Sequence, residues 1–111
     1  MEFIETKIFT KIMKHYFSDD EFAEFQNFLM AKPDCGDIIK GSGGLRKIRW
    51  KSGGKGKRGG ARVIYYFHSQ GEQVYFLTVY NKNEASDLSM EEIKILKGIL
   101  EEIKGEKKKF I

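Results

Sequence analysis

The residues able to do chemistry in this 111-residue chain are arginines and lysines, and they are bunched. Between Ile38 and Gly71 stand nine Lys or Arg and no Asp or Glu, whereas the rest of the chain carries eleven basic and sixteen acidic side chains. The formal net charge of +4 thus conceals a polarised molecule, whose central segment attracts polyanions. A nucleic-acid backbone is the usual biological polyanion. Lys47, Arg49 and Lys51 alternate along an extended stretch and share one face, and Arg62 opens the next such stretch. Cations converging on an open sheet grip a phosphodiester and stabilise the extra charge of its pentavalent transition state. Taken singly, each is an ordinary exposed basic residue. Together, and without local acids, they favour phosphate contact.

Other chemistries fit poorly. Gly54-Lys55-Gly56-Lys57-Arg58-Gly59 has the letter spacing of a dinucleotide fingerprint, but a strand pattern follows it where that motif needs a helix. No Gly-Lys precedes Ser or Thr, so a phosphate loop of the Walker type also fails. The loop reads instead as a hairpin connection that presents Lys55, Lys57 and Arg58 to a phosphate backbone, or as a merely solvated one. His15 and His68 are far apart, Cys35 follows Pro33 in a connecting loop, and no metal-ligand spacing occurs. No metal or other cofactor is expected. Proton transfer in a nuclease would fall to Lys, Arg, Tyr or Glu. Tyr80, at the end of an apolar stretch near the basic loop, is the best placed tyrosine for stacking on a base.

The elements that must hold these residues can be read from periodicity. Phe3-Ile4 suggests a brief first strand. Ile8, Phe9, Ile12, Met13 and Tyr16 recur at helical spacing and predict a helix from about Thr6 to Tyr16. Ser18 and Glu21 have capping-box spacing and open a second helix, with Phe22, Phe25, Phe28 and Leu29 on one face. That helix stops near Ala31, because Pro33 disfavours helix in the residue before it. Leu45–Lys51, Ala61–His68 and Gln73–Tyr80 read as a three-stranded meander. Ser89 and Glu92 cap a last helix with the stripe Ile93, Leu96, Leu100 and Ile103, and the tail from Lys107 is expected to fray. The expected fold is α+β (α/β in the broad sense), two N-terminal helices and a C-terminal helix packed on a curved antiparallel sheet. The N-terminal pair is expected on one side, with the basic face left open.

Composition agrees with one domain over residues 1–111: 41% apolar and 14% aromatic residues suffice for a core. No apolar run approaches a bilayer span, the start Met-Glu-Phe-Ile-Glu lacks the features of a signal peptide, and one cysteine fits a reducing compartment. A cytoplasmic location without a membrane partner is expected.

The order of elements, with Gly43-Gly44-Leu45-Arg46-Lys47-Ile48-Arg49, Gly56-Lys57-Arg58-Gly59-Gly60-Ala61-Arg62-Val63-Ile64-Tyr65-Tyr66 and Tyr80-Asn81-Lys82-Asn83-Glu84, resembles the RelE superfamily over nearly the whole chain. It is most similar to the HigB branch, toxins of type II toxin–antitoxin modules. The resemblance implies a ribosome-dependent endoribonuclease, an mRNA interferase that cleaves mRNA in the ribosomal A site and inhibits translation. It also implies a cognate antitoxin, HigA-like and of the helix-turn-helix kind, alongside ribosome and mRNA as partners. By position, the basic strand residues of RelE toxins correspond to Lys47 and Arg49, and their phosphate-stabilising arginine to Arg62. Asn83 stands where a second functional arginine is found in RelE toxins, with Lys82 its neighbouring substitute, and Tyr80 is the candidate for the catalytic tyrosine. Arg46, Lys51, Lys55, Lys57 and Arg58 are expected to contact RNA or ribosome. The competing reading is a non-catalytic nucleic-acid- or ribosome-binding module that uses the same basic sheet for phosphate contact alone.

Overall fold

The structure is a computed structural model that describes residues 1–50, 60–81 and 87–109, with side chains as far as residue 105. In chain order the elements are β1 (Glu2–Glu5), α1 (Lys7–Ile12) running into a single 3₁₀ turn (Met13–His15), α2 (Asp19–Ala31), β2 (Asp37–Ile38), β3 (Arg46–Trp50), β4 (Ala61–His68), β5 (Gln73–Asn81) and α3 (Met90–Lys109).

The local signals explain most boundaries. Thr6 caps α1 by accepting from the Phe9 N–H at 3.1 Å, and donates its hydroxyl to the Leu77 carbonyl at 2.8 Å, tying helix to sheet. Ser18 and Glu21 form a reciprocal capping box, 3.1 and 2.9 Å, so α2 begins where the spacing predicts. It ends at Ala31, two residues before Pro33. Ser89 and Glu92 repeat the same box at 2.9 and 3.1 Å, and α3 follows. The helix continues to Lys109, beyond the point at which the lysine-rich tail was expected to fray.

The five strands form one sheet in the order β1-β5-β4-β3-β2. The α+β class is as expected, and the meander β3-β4-β5 is antiparallel. Two features differ from expectation. β1 joins the edge parallel to β5, Phe3 against Val74 and Ile4 against Tyr75, so the sheet is mixed. The α1–α2 pair intervenes between β1 and the rest of the sheet, which lets the chain return in the same direction. β2, only two residues long, pairs with β3 through Asp37–Lys47 and Ile38–Arg46. Two residues are too few for alternation to mark it as a strand.

Both sheet faces are covered. One carries a mostly aromatic core, in which Phe9, Phe17, Phe22, Phe25 and Leu29 from the helical side pack on Val63, Tyr65, Val74, Phe76 and Val79. Phe25 and Phe28 also close on Trp50, each at 5.2 Å between ring centroids. On the other face Leu96 and Leu100 of α3 bury Leu45, Ile64, Leu77 and Tyr80. The basic face is therefore not left open as a whole: α3 occupies part of it, because its own apolar stripe needs a surface to cover.

One irregularity bears on function. Ile64 pairs with Thr78 but the next residue, Tyr65, pairs with Phe76, so Leu77 is an extra residue in β5. Leu77 packs with α3, and Thr78 lines a cleft with Leu96, so both lie on the α3 side. The bulge inverts the alternation beyond it: Val79 returns to the aromatic core and Tyr80 joins the α3 face.

Candidate RNA-cleavage site

The meander brings four of the predicted residues onto one face. Arg49 of β3 lies directly across from Arg62 of β4, and Arg62 directly across from Tyr80 of β5. Lys47 is one step along the same face of β3, opposite Ile64. The result is a transverse row, Arg49–Arg62–Tyr80, at the end of the sheet. Residues directly opposed in an antiparallel pair have Cβ atoms roughly 4.5–5.5 Å apart. Two arginines held that close repel, and an anion between them would offset the repulsion.

The surroundings sharpen the chemistry. Arg62 is half-buried, and its Nη1 is shielded from solvent without a hydrogen-bond partner among the described residues. The Tyr80 hydroxyl is buried and likewise without a partner among the described residues. Buried polar atoms are rarely left so, and two at adjacent positions of a cationic row suit a site that a ligand completes. Burial raises the Tyr80 pKa above the usual tyrosine value, the Asp87 charge raises it further, and Arg62 opposes the shift. Tyr80 is therefore protonated at neutral pH and can donate a proton or a hydrogen bond. Its ring is only 8% exposed, which leaves no free face for the base stacking expected of it.

Lys47 is joined to Asp87, Nζ to Oδ1 at 3.2 Å. The same Oδ1 accepts from the Leu88 N–H at 2.9 Å, and these two contacts, the backbone bond foremost, hold the Asp87 carboxyl below the ordinary carboxylate range. The sequence marks Asp87 only as the approach to the last helix. Its role at the edge of the basic row comes from the packing of α3, and its one local signal is an acid two residues before the Ser89 cap.

Arg46 does not share this face. It pairs across from Tyr65, and its Nη1 donates to the carbonyls of Asp34 and Gly36 at 2.9 and 2.8 Å. Tyr65 completes the clamp, accepting from the Gly36 N–H at 2.8 Å and donating to the Pro33 carbonyl at 2.9 Å. A Cβ at Gly36 would stand 2.7 Å from the Tyr65 ring, so the close approach requires glycine. Arg46 is thus engaged in holding the loop after α2, away from the row. Lys51, Lys55, Lys57, Arg58, Lys82 and Asn83 lie outside the described residues. His68 lies on the α3 face of the sheet beside Tyr66, ring centroids 6.3 Å apart, toward the far end of β4 from the row. Among the described residues no cluster of His, Cys, Asp and Glu suits a metal, and no helix is long and apolar enough to cross a membrane.

Known proteins share this fold. The chain superposes on the isolated E. coli RelE toxin with a TM-score of 0.53 at 15% identity, covering 88% of this chain and 97% of that one. The RelE of the intact E. coli RelBE toxin–antitoxin complex gives 0.55 at 14% identity, over 72% of this chain and 94% of that one. At such identities the likeness establishes the fold. A sequence model described as the RelE toxin of the RelE/RelB toxin–antitoxin system matches residues 1–110. With a match of that length on top of the shared fold, this chain belongs to the RelE family of toxins of toxin–antitoxin systems.

Proposed function

We propose that this chain is a ribosome-dependent endoribonuclease, a single-domain mRNA interferase of a type II module, HigB-like within its family. It cleaves mRNA in the ribosomal A site, acts in the cytoplasm without a cofactor, and is neutralised by a cognate antitoxin of the HigA kind. The observation that carries the reading is the cross-strand row Arg49–Arg62–Tyr80 in a RelE-family chain.

In this reading the scissile phosphate sits against the row. The 2′-hydroxyl of the preceding nucleotide attacks phosphorus, releasing its proton to solvent and forming a 2′,3′-cyclic phosphate, as the bond to the 5′-oxygen breaks. Arg62, always charged and able to hold two phosphate oxygens, gains most as negative charge builds on the pentavalent phosphorus. Arg49 supports it from the neighbouring strand. Tyr80, kept protonated by burial, supplies the proton to the departing 5′-oxygen. Lys47, and Lys82 from the segment after β5, add positive charge around the substrate. Asn83 stands where RelE toxins carry a second functional arginine, which favours the tyrosine over a cation at the leaving group. The basic residues Lys51, Lys55, Lys57 and Arg58 supply the salt-sensitive attraction to RNA or ribosome.

The test is direct. Purified protein added to translating ribosomes produces site-specific breaks in mRNA, mapped by primer extension, and Arg62→Ala abolishes them. Intact mRNA on ribosomes saturated with the wild-type protein would instead support a non-catalytic binding module.

A further inference from the structure

Beside Lys47 the sheet and α3 enclose a cleft of about 340 Å³ that the row does not use. Its walls are Ile39, from the turn after β2, and Ile93, in the first turn of α3. Both are half-buried, and Ile39 packs against the α3-side core, so this wall is fixed by the fold. Around the rim stand Lys40, Lys47, Asp37 and Asp87. The lining, which Ile38 also joins, thus combines aliphatic side chains with two ammonium groups and two carboxylates. Lys47 is two residues from Arg49 on one strand face, a separation of about 7 Å, comparable with one nucleotide of an extended strand.

We propose that this cleft receives the base of a nucleotide adjoining the scissile phosphate, and that it selects bases carrying an exocyclic amino group. The inference rests on the endoribonuclease reading for its biological use, but not for its chemistry. Aliphatic walls shed water onto the faces of a base. Lys40 and Lys47 meet the flanking phosphates. Among the described residues both hydrogen bonds to the Asp87 carboxylate fall on Oδ1, and Oδ2 can accept from an amino group. Exposed Asp37, across the strands from Lys47, offers a second acceptor. Carboxylates accept from cytosine N4 and comparable amino groups, whereas uracil carries a carbonyl oxygen at that position and keeps only its N3–H to donate. The cleft therefore discriminates against uracil by repulsion as well as by a missing bond.

Methyl NMR of protein labelled at isoleucine tests this with the four ribonucleoside 3′-monophosphates. Ile39 and Ile93 are expected to shift on addition of the cytidine, adenosine and guanosine nucleotides, while Ile4 and Ile12 stay in place. The uridine nucleotide should bind roughly tenfold more weakly, as expected for one discriminating contact. Asp87→Asn, whose amide can donate to a uracil carbonyl, should narrow that ratio while keeping the same methyls as reporters. Equal binding of all four nucleotides, or binding without movement of Ile39 and Ile93, overturns the proposal. If the methyls respond as expected but translating ribosomes yield no mRNA breaks, the cleft stands and the endoribonuclease reading falls.

Discussion

At the scale of single residues, the cross-strand arginine pair is the most informative feature. Its like charges oppose folding modestly, so removing Arg62 should cost chemistry and not stability. Arg62→Ala is expected to lower the single-turnover cleavage rate by about 10²–10³, the usual loss for one donor to a developing anion. Ribosome association, measured by co-sedimentation, should persist, since eight of the nine basic residues between Ile38 and Gly71 remain. Tyr80→Phe removes the proposed proton donor while keeping the packed ring, and should slow cleavage by roughly 10²–10⁴ with an unchanged melting temperature. Because the Tyr80 pKa lies above its ordinary value, the active, protonated form prevails throughout the neutral range. Wild-type cleavage should thus show no loss from this group until the pH passes about 10. A break near pH 7 that disappears in Tyr80→Phe would refute the assignment.

At the scale of elements, two devices hold the site in place. The Ser89 capping box starts α3 two residues after Asp87, so the helix start and the Lys47–Asp87 contact are coupled in space. Ser89→Ala should cost about 1 kcal/mol in urea unfolding, the typical value of such a cap. Farther along α3, Lys104 donates to the Gly43 carbonyl at 2.7 Å and lies over the Tyr66 ring, which fixes the helix across the sheet. The second device is the Tyr65 clamp on the loop after α2. Tyr65→Phe leaves the Gly36 N–H without its acceptor and should cost about 1–3 kcal/mol. Burial, the largest influence, raises the Tyr65 pKa above its unfolded value. Its contribution to stability is therefore full below about pH 10, and is lost as pH rises further, when the unfolded chain ionises first. Wild-type stability should decline above pH 10, and Tyr65→Phe should decline less steeply.

At the scale of the whole molecule, charge is segregated along the chain and the fold gathers part of it on one end of the sheet. Binding to ribosomes or RNA should weaken linearly in log–log terms as salt increases, as counterion release requires. A free cationic surface that cuts mRNA is hazardous to the cell that makes it. Expression of this chain alone should arrest growth, and co-expression of its antitoxin should restore it. Harmless accumulation of folded protein at high level would count against the toxin reading as applied to this chain.

The sequence by itself determined the helices, the three long strands and the family. Each rests on local or linear information: capping boxes at Ser18 and Ser89, apolar periodicity, and motif strings from Gly43 to Glu84. It also determined which face of β3 carries Lys47 and Arg49, since alternation within a strand needs no partner. Only the tertiary structure decided the rest. Pairing register placed Arg49 opposite Arg62, and register depends on how two distant stretches meet. The strand at Phe3-Ile4 was legible, but its parallel pairing with β5 was not, and the two-residue β2 exists through its neighbour β3. Arg46 reads like any other cation of the basic segment, yet its side chain is committed to carbonyls brought near by the turn after α2. The position of Tyr80 depends on a single extra residue in β5. Strict alternation from Phe76 would have sent Tyr80 into the aromatic core. The bulge at Leu77, made where α3 packs on one face and the phenylalanines on the other, turns it toward Arg62 instead.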